Sequence, residues 1–147
     1  MLLDGLLERG SIAVLGKVMA FTEARHQVLV NNVSNFDTVG YRMRDLPVAQ
    51  FHATLDQAIQ ARTKAGANAP LDMPSQRGLA WDAQGRLHAL AQQIEPENQN
   101  VLFHDGNNRF VEKQMSELSQ NALRHNVVAA LLKGKYDELG AAIRGRL

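Results

Sequence analysis

"NRFVEKQMSELSQNALRHNVVAALLKGKYDELGAAIRG", residues 108–145, is the most regular part of this chain. Val111, Met115, Leu118, Ala122, His125, Ala129, Leu132, Tyr136, Leu139 and Ile143 recur at alternating steps of four and three, the spacing of a heptad seam. No proline interrupts them. At ~1.5 Å per residue the stretch predicts a helix roughly 55 Å long, more than one small domain needs. Its start is marked by Asp105, Gly106, Asn107 and Asn108: the first two suit a turn, and Asn108 can cap the first N–H groups. Glu112 falls near the positive end of the helix dipole, and Lys133, Lys135 and Arg144 toward the negative end. Leu123, Val127, Val128 and Leu131 form a second apolar strip beside the seam. A helix apolar on two sides wants more than one partner.

Working outward, residues 11–35 predict a second long helix, with Ser11 as its candidate N-cap. Ile12, Leu15, Met19, Thr22, His26, Leu29 and Val33 again step by three and four. Residues 1–35 thus form an N-terminal helix with a frayed start, 36–107 a middle segment and 108–147 a C-terminal coiled-coil helix. In the middle, Val48, Phe51, Leu55, Ala58 and Ile59 share one face of a short helix over 47–62. The run "TKAGANAPLDMPSQRG", 63–78, reads as a loop too polar to pack. "LAWDAQGRLH", 79–88, can make a small hairpin turning at Asp82–Gly85, and "QQIEPENQN", 92–100, is a linker by composition. The expected fold is one mainly α domain, its terminal helices packed as an antiparallel coiled coil around a short, largely irregular middle.

Several function classes lose support on composition. The net charge of +1 offers no bulk attraction to nucleic acid, and interleaved acids make "KGKYDEL" and "RGRL" read as a solvated helix end. With no cysteine, disulfides, thiolate zinc sites and thiol nucleophiles are all excluded. Asp4 and Glu8 stand where a secretory signal needs basic residues, and Gly10, Ser11 and Gly16 interrupt the apolar stretch, so neither a cleaved signal nor a membrane span is expected. His26, His52, His88, His104 and His125 show no i, i+4 pair with an acidic companion, so no metal or catalytic site is expected. His26 and His125 sit mid-seam, where a hydrogen-bonded polar residue can fix register. No nucleophile–base spacing or phosphate-cradling glycine loop suggests an enzyme, a small-molecule substrate or a cofactor.

Two motifs carry a family resemblance. At the C-terminal end stand Asp105 to Asn108, then Glu112, Lys113 and Met115, and later Lys135, Tyr136, Ala142 and Ile143. This run closely resembles the C-terminal helix of the proximal rod (FlgB) family of the bacterial flagellar basal body. Near the other end, Asn31, Asn32, Asn35, Thr38, Gly40 and Tyr41 resemble the signature closing the first helix of flagellar rod and hook proteins. Val39 replaces the family's usual proline, and Phe110 its small acidic residue. The resemblance implies a structural protein, not an enzyme, sent out by the flagellar export apparatus without a cleaved signal peptide. It implies a place in the periplasmic part of the basal body, polymerised with itself and other rod proteins. Its neighbours there would be the basal-body membrane ring and the export-gate junction protein. The residues expected to pack between subunits are Ile12, Leu15, Met19, Leu29, Val33, Val111, Met115, Leu118, Leu132, Tyr136, Leu139 and Ile143. A rival reading without the resemblance is a cytoplasmic helical adaptor that holds a single partner through a coiled coil.

Overall fold

A computed structural model describes residues 10–66, 69–82, 84–93 and 111–145. Among these, the chain is mainly helical, with a long first helix, a long last helix and a short middle that carries two small sheets. Helix α1 spans Ser11–Ser34, strand β1 Arg44–Asp45, helix α2 Val48–Ala65, strands β2 Leu79–Trp81, β3 Leu87–Ala89 and β4 Gln92–Gln93, and helix α3 Val111–Ile143.

The start of α1 differs from the sequence expectation. Gly10 holds the cap position with no side-chain cap, and Ser11 is the first helical residue, fully buried. Arg62 donates to the Gly10 carbonyl at 2.8 Å, and a Cβ at Gly10 would lie 2.7 Å from that guanidinium. A glycine there lets α2 grip the start of α1, so the polar contact comes from Arg62 and not from a serine cap. Helix α2 runs three residues past the expected end at 62 and stops at Gly66, whose φ of +109° suits glycine.

The apolar core lies between α1, α2 and the hairpin. Phe21 and Phe51 stack with ring centroids 4.0 Å apart, surrounded by Val14, Leu46, Leu55, Ala58, Met73 and Leu79. The expected hairpin is present: β2 and β3 pair antiparallel with Leu79 opposite Ala89 and Trp81 opposite Leu87. Lys17 fastens it to α1, its Nζ 3.9 Å over the Trp81 ring and 3.2 Å from the Gly85 carbonyl. Burial lowers the Lys17 pKa, against the pull of Asp72 and Asp82.

Two middle stretches are more ordered than their composition suggests. In the segment expected not to pack, Met73 is buried in the core and Leu71 rests against it. Residues two apart in extended chain face the same way, so a lone Leu-x-Met suffices to pin the segment. Gln92 and Gln93, assigned to a linker, pair antiparallel with Asp45 and Arg44. The turn expected at Asp105 to Asn108 lies outside the described residues, as do 1–9, 94–104 and the last two residues.

Candidate assembly interface

Helix α1 has two working faces. One enters the apolar core. The other carries Ser11, Leu15, Thr22, Arg25, Leu29 and Asn32, all buried and all on one heptad stripe. Helix α3 answers with Gln114 and Asn121, buried, and with Leu118, His125, Val128 and Leu132, half-buried. Asn32 pairs with Gln114, Arg25 with Glu117, and Thr22 with Asn121 and His125. The partners fall back along α3 toward its start as α1 advances.

The seam these pairs make is polar and fully satisfied. Asn32 Nδ2 donates to the Arg44 carbonyl at 2.6 Å and to Gln114 Oε1 at 2.8 Å. Its Oδ1 accepts from the Arg44 N–H at 3.0 Å and from the Tyr41 hydroxyl at 3.1 Å. One amide therefore ties the first helix, the following turn and the last helix together. Arg25 grips Asp45 with two bonds, 2.9 and 2.7 Å, and reaches Glu117 at 2.7 Å. Burial opposes its charge, but the bonds and charges of the two carboxylates outweigh that and raise its pKa. The carboxylates are partly open to water, 24% and 31% exposed. Losing one therefore costs less than the ~3–5 kcal/mol of breaking a wholly buried pair. Asn121 donates to the Thr22 carbonyl at 2.8 Å. The Thr22 hydroxyl donates to the Met19 carbonyl, which leaves its lone pair for a proton on His125 Nδ1, 3.0 Å away. No buried side-chain polar atom among the described residues lacks a partner.

The motif after α1 is a built turn. Asn35 closes the helix, both its N–H and its Nδ2 bonding to the Asn31 carbonyl. The Tyr41 N–H then bonds back to the Thr38 carbonyl across Val39 and Gly40, whose φ is +76°. Positive φ at the third of four residues marks a type II turn, which accepts glycine there and welcomes proline one position earlier. Val39 occupies that position, 85% exposed. Nothing would meet a Cβ at Gly40, so its requirement is backbone conformation alone.

The buried stripe and the expected subunit-packing residues coincide only in part. Leu15 and Leu29 are buried; Ile12, Met19, Val33, Val111, Leu118 and Leu132 are half-buried. Met115, Tyr136, Leu139 and Ile143 are exposed in the single chain, and so is His26. On α1 the stripe takes Ser11, Arg25 and Asn32 where the apolar reading takes Ile12, His26 and Val33; on α3 it takes Gln114 and Asn121 in place of Met115 and Ala122. A search for apolar periodicity passes over polar seam positions. The seven-residue repeats Arg25–Asn32 and Gln114–Asn121 are the signal that would have found them.

Large exposed apolar side chains concentrate on one element. Of the ten among the described residues, seven belong to α3: Met115, Leu123, Val127, Leu131, Tyr136, Leu139 and Ile143. Among the described residues, helix α3 therefore carries most of the exposed apolar side chains. Leu123, Val127 and Leu131 lie, by helical position, on the side away from α1, whereas Tyr136, Leu139 and Ile143 continue the seam face toward the C-terminus. Among the described residues no group of three or more His, Asp or Glu could hold a metal, and no helix is long and apolar enough to cross a membrane.

A satisfied internal seam, a final helix rich in exposed apolar side chains and the two end motifs together describe a mainly helical protein built on its two long terminal helices. Similar proteins give this class a name. The chain is 25% identical over 136 residues to the flagellar basal body rod protein FlgB of Bacillus subtilis (strain 168), spanning 92% of this chain and 95% of that protein. Against FlgB of Aquifex aeolicus (strain VF5) it is 24% identical over 130 residues, 88% of this chain and 90% of the relative. Against FlgB of Yersinia enterocolitica it is 21% identical over 133 residues, 86% and 88%. No family model matches the chain. The resemblance to the proximal rod family, first visible at the two ends, extends along nearly the whole chain.

Proposed function

We propose that this chain is a structural, non-catalytic subunit of the proximal rod of the bacterial flagellar basal body. It leaves the cell interior unfolded through the flagellar type III apparatus, without a cleaved signal peptide, and polymerises in the periplasmic space through its terminal helices. There α1 and α3 run as an antiparallel coiled coil and meet further copies, other rod proteins, the membrane ring and the export-gate junction protein. End-to-end similarity to FlgB proteins supports this reading. The observation that carries it is the row of apolar side chains on α3 that stand exposed among the described residues. An open contact repeated from copy to copy builds a helical tube.

The test compares Leu139→Asp with Gln120→Ala in cells whose own copy is deleted, scoring swimming and immunoblotting cell and exported fractions. Both sites are exposed, so the fold survives either change. Leu139→Asp should abolish swimming while export continues, and Gln120→Ala should swim normally. If Leu139→Asp cells swim like wild type, the C-terminal part of α3 is not an assembly element.

A further inference from the structure

We propose that Arg25 and the charge pattern of α3 fix the register of the two terminal helices, with Glu117 marking the correct position and Arg124 forbidding the next one. The apolar residues alone choose only weakly. Thr22 and His125 are bonded, which sets Leu15 and Leu29, one heptad to either side of Thr22, against Leu132 and Leu118. The seam face of α3 then continues with Tyr136, Leu139 and Ile143. A slide of one heptad sets Leu139 against Leu15 and Ile143 against Ser11, and among these leucines only Leu29 loses an apolar partner, His125 replacing Leu118.

The polar residues do choose. After the slide, each α1 residue meets the α3 residue seven positions further on. Arg25 then faces Arg124 in place of Glu117, trading a 2.7 Å ion pair for like-charge repulsion. The Thr22 carbonyl faces Val128 in place of the Asn121 amide, and its hydroxyl faces Leu132 in place of His125. Asn32 alone keeps a polar neighbour, Asn121 for Gln114. Buried donors and acceptors without partners cost more than the lost attraction itself. A single polar seam position can specify register in paired helices. This chain uses three polar contacts that the slide would break, and adds a repulsive element against the nearest competitor. The choice of register is a property of the single chain and does not depend on the rod.

The chain has no cysteine, so Ala13→Cys and Gln120→Cys, both at exposed sites, can carry spin labels for a pulsed dipolar distance measurement. The unaltered seam should give one narrow distance. Glu117→Arg with Arg124→Glu transposes the charges and should add a second population about 10 Å longer, seven residues at ~1.5 Å each. Glu117→Gln with Arg124→Gln removes both the attraction and the repulsion without setting two arginines together, and should broaden the distribution. This second variant decides the question if the charge transposition prevents folding. The original single distance in both variants, or in the neutral variant when the other does not fold, would overturn the proposal.

Discussion

Asn32 uses all four hydrogen-bonding positions of its amide inside the chain, while its neighbour Asn31 exposes its side chain and lends only a backbone carbonyl. The two look equivalent in the sequence, both part of one motif. The fold separates them because successive helical positions point ~100° apart, one toward α3 and one toward solvent. Asn32→Ala leaves the Gln114 carbonyl oxygen and the Arg44 backbone groups without their partner, at ~1–3 kcal/mol for a buried group left unpaired. Urea denaturation of the two alanine variants should therefore differ: a loss of about 2 kcal/mol or more for Asn32→Ala, and within ~0.5 kcal/mol of no change for Asn31→Ala. Equal losses would mean the amide network does not hold the seam. Arg25 illustrates a different limit of reading by residue. A lone arginine within an apolar-periodic stretch reads as solvated. Its burial depends on Asp45, twenty residues on, and Glu117, ninety-two on, and such long-range pairings leave no local trace.

Among the elements, those with a period declare themselves. The long helices and the short middle helix were legible in the sequence because each repeats its apolar residues with a fixed step, whereas the hairpin showed only as a possible one through its turn at Asp82–Gly85. What was not legible follows from polar burial and from short extended pieces. The seam's alternate positions are Ser, Arg, Asn and Gln, which an apolar count passes over. Met73 and the Gln92–Gln93 strand each rest on a few contacts supplied by distant chain. The hairpin turn carries its own electrostatic support. The Arg86 N–H, bonded at 2.7 Å to Asp82, is the main force holding that carboxyl below the usual aspartate range, helped by the Arg86 guanidinium and His88 and opposed by desolvation. A carboxyl whose folded pKa is depressed stabilises above its unfolded value and loses that contribution as pH falls through the folded one. The turn should accordingly stay intact down to about pH 4 and loosen below it. The Asp82 carboxyl carbon, followed by NMR, should titrate at lower pH in the folded chain than in urea. A folded midpoint equal to or above the unfolded one would remove this support from the turn.

For the whole molecule, the division of labour follows from where apolar surface is covered. The core is closed by α1, α2 and the hairpin, and no residue of α3 belongs to it. Helix α3 is held by a seam of leucines and satisfied polar pairs and turns Leu123, Val127 and Leu131 outward. A chain that only needed to fold would have little reason to keep those three exposed. In the proposed rod a neighbouring subunit covers them, at a place the seam holds fixed. The direct test is incorporation. Basal bodies isolated from deleted cells carrying either the natural chain or a Leu123→Glu, Val127→Glu, Leu131→Glu variant should be probed for it by immunoblot. Circular dichroism of each purified chain checks that the helices are retained. The natural chain should copurify with the basal body, whereas the variant, equally helical and equally exported, should be absent from it. Copurification of the variant at the natural level, in cells that swim, would contradict a role for α3 in assembly.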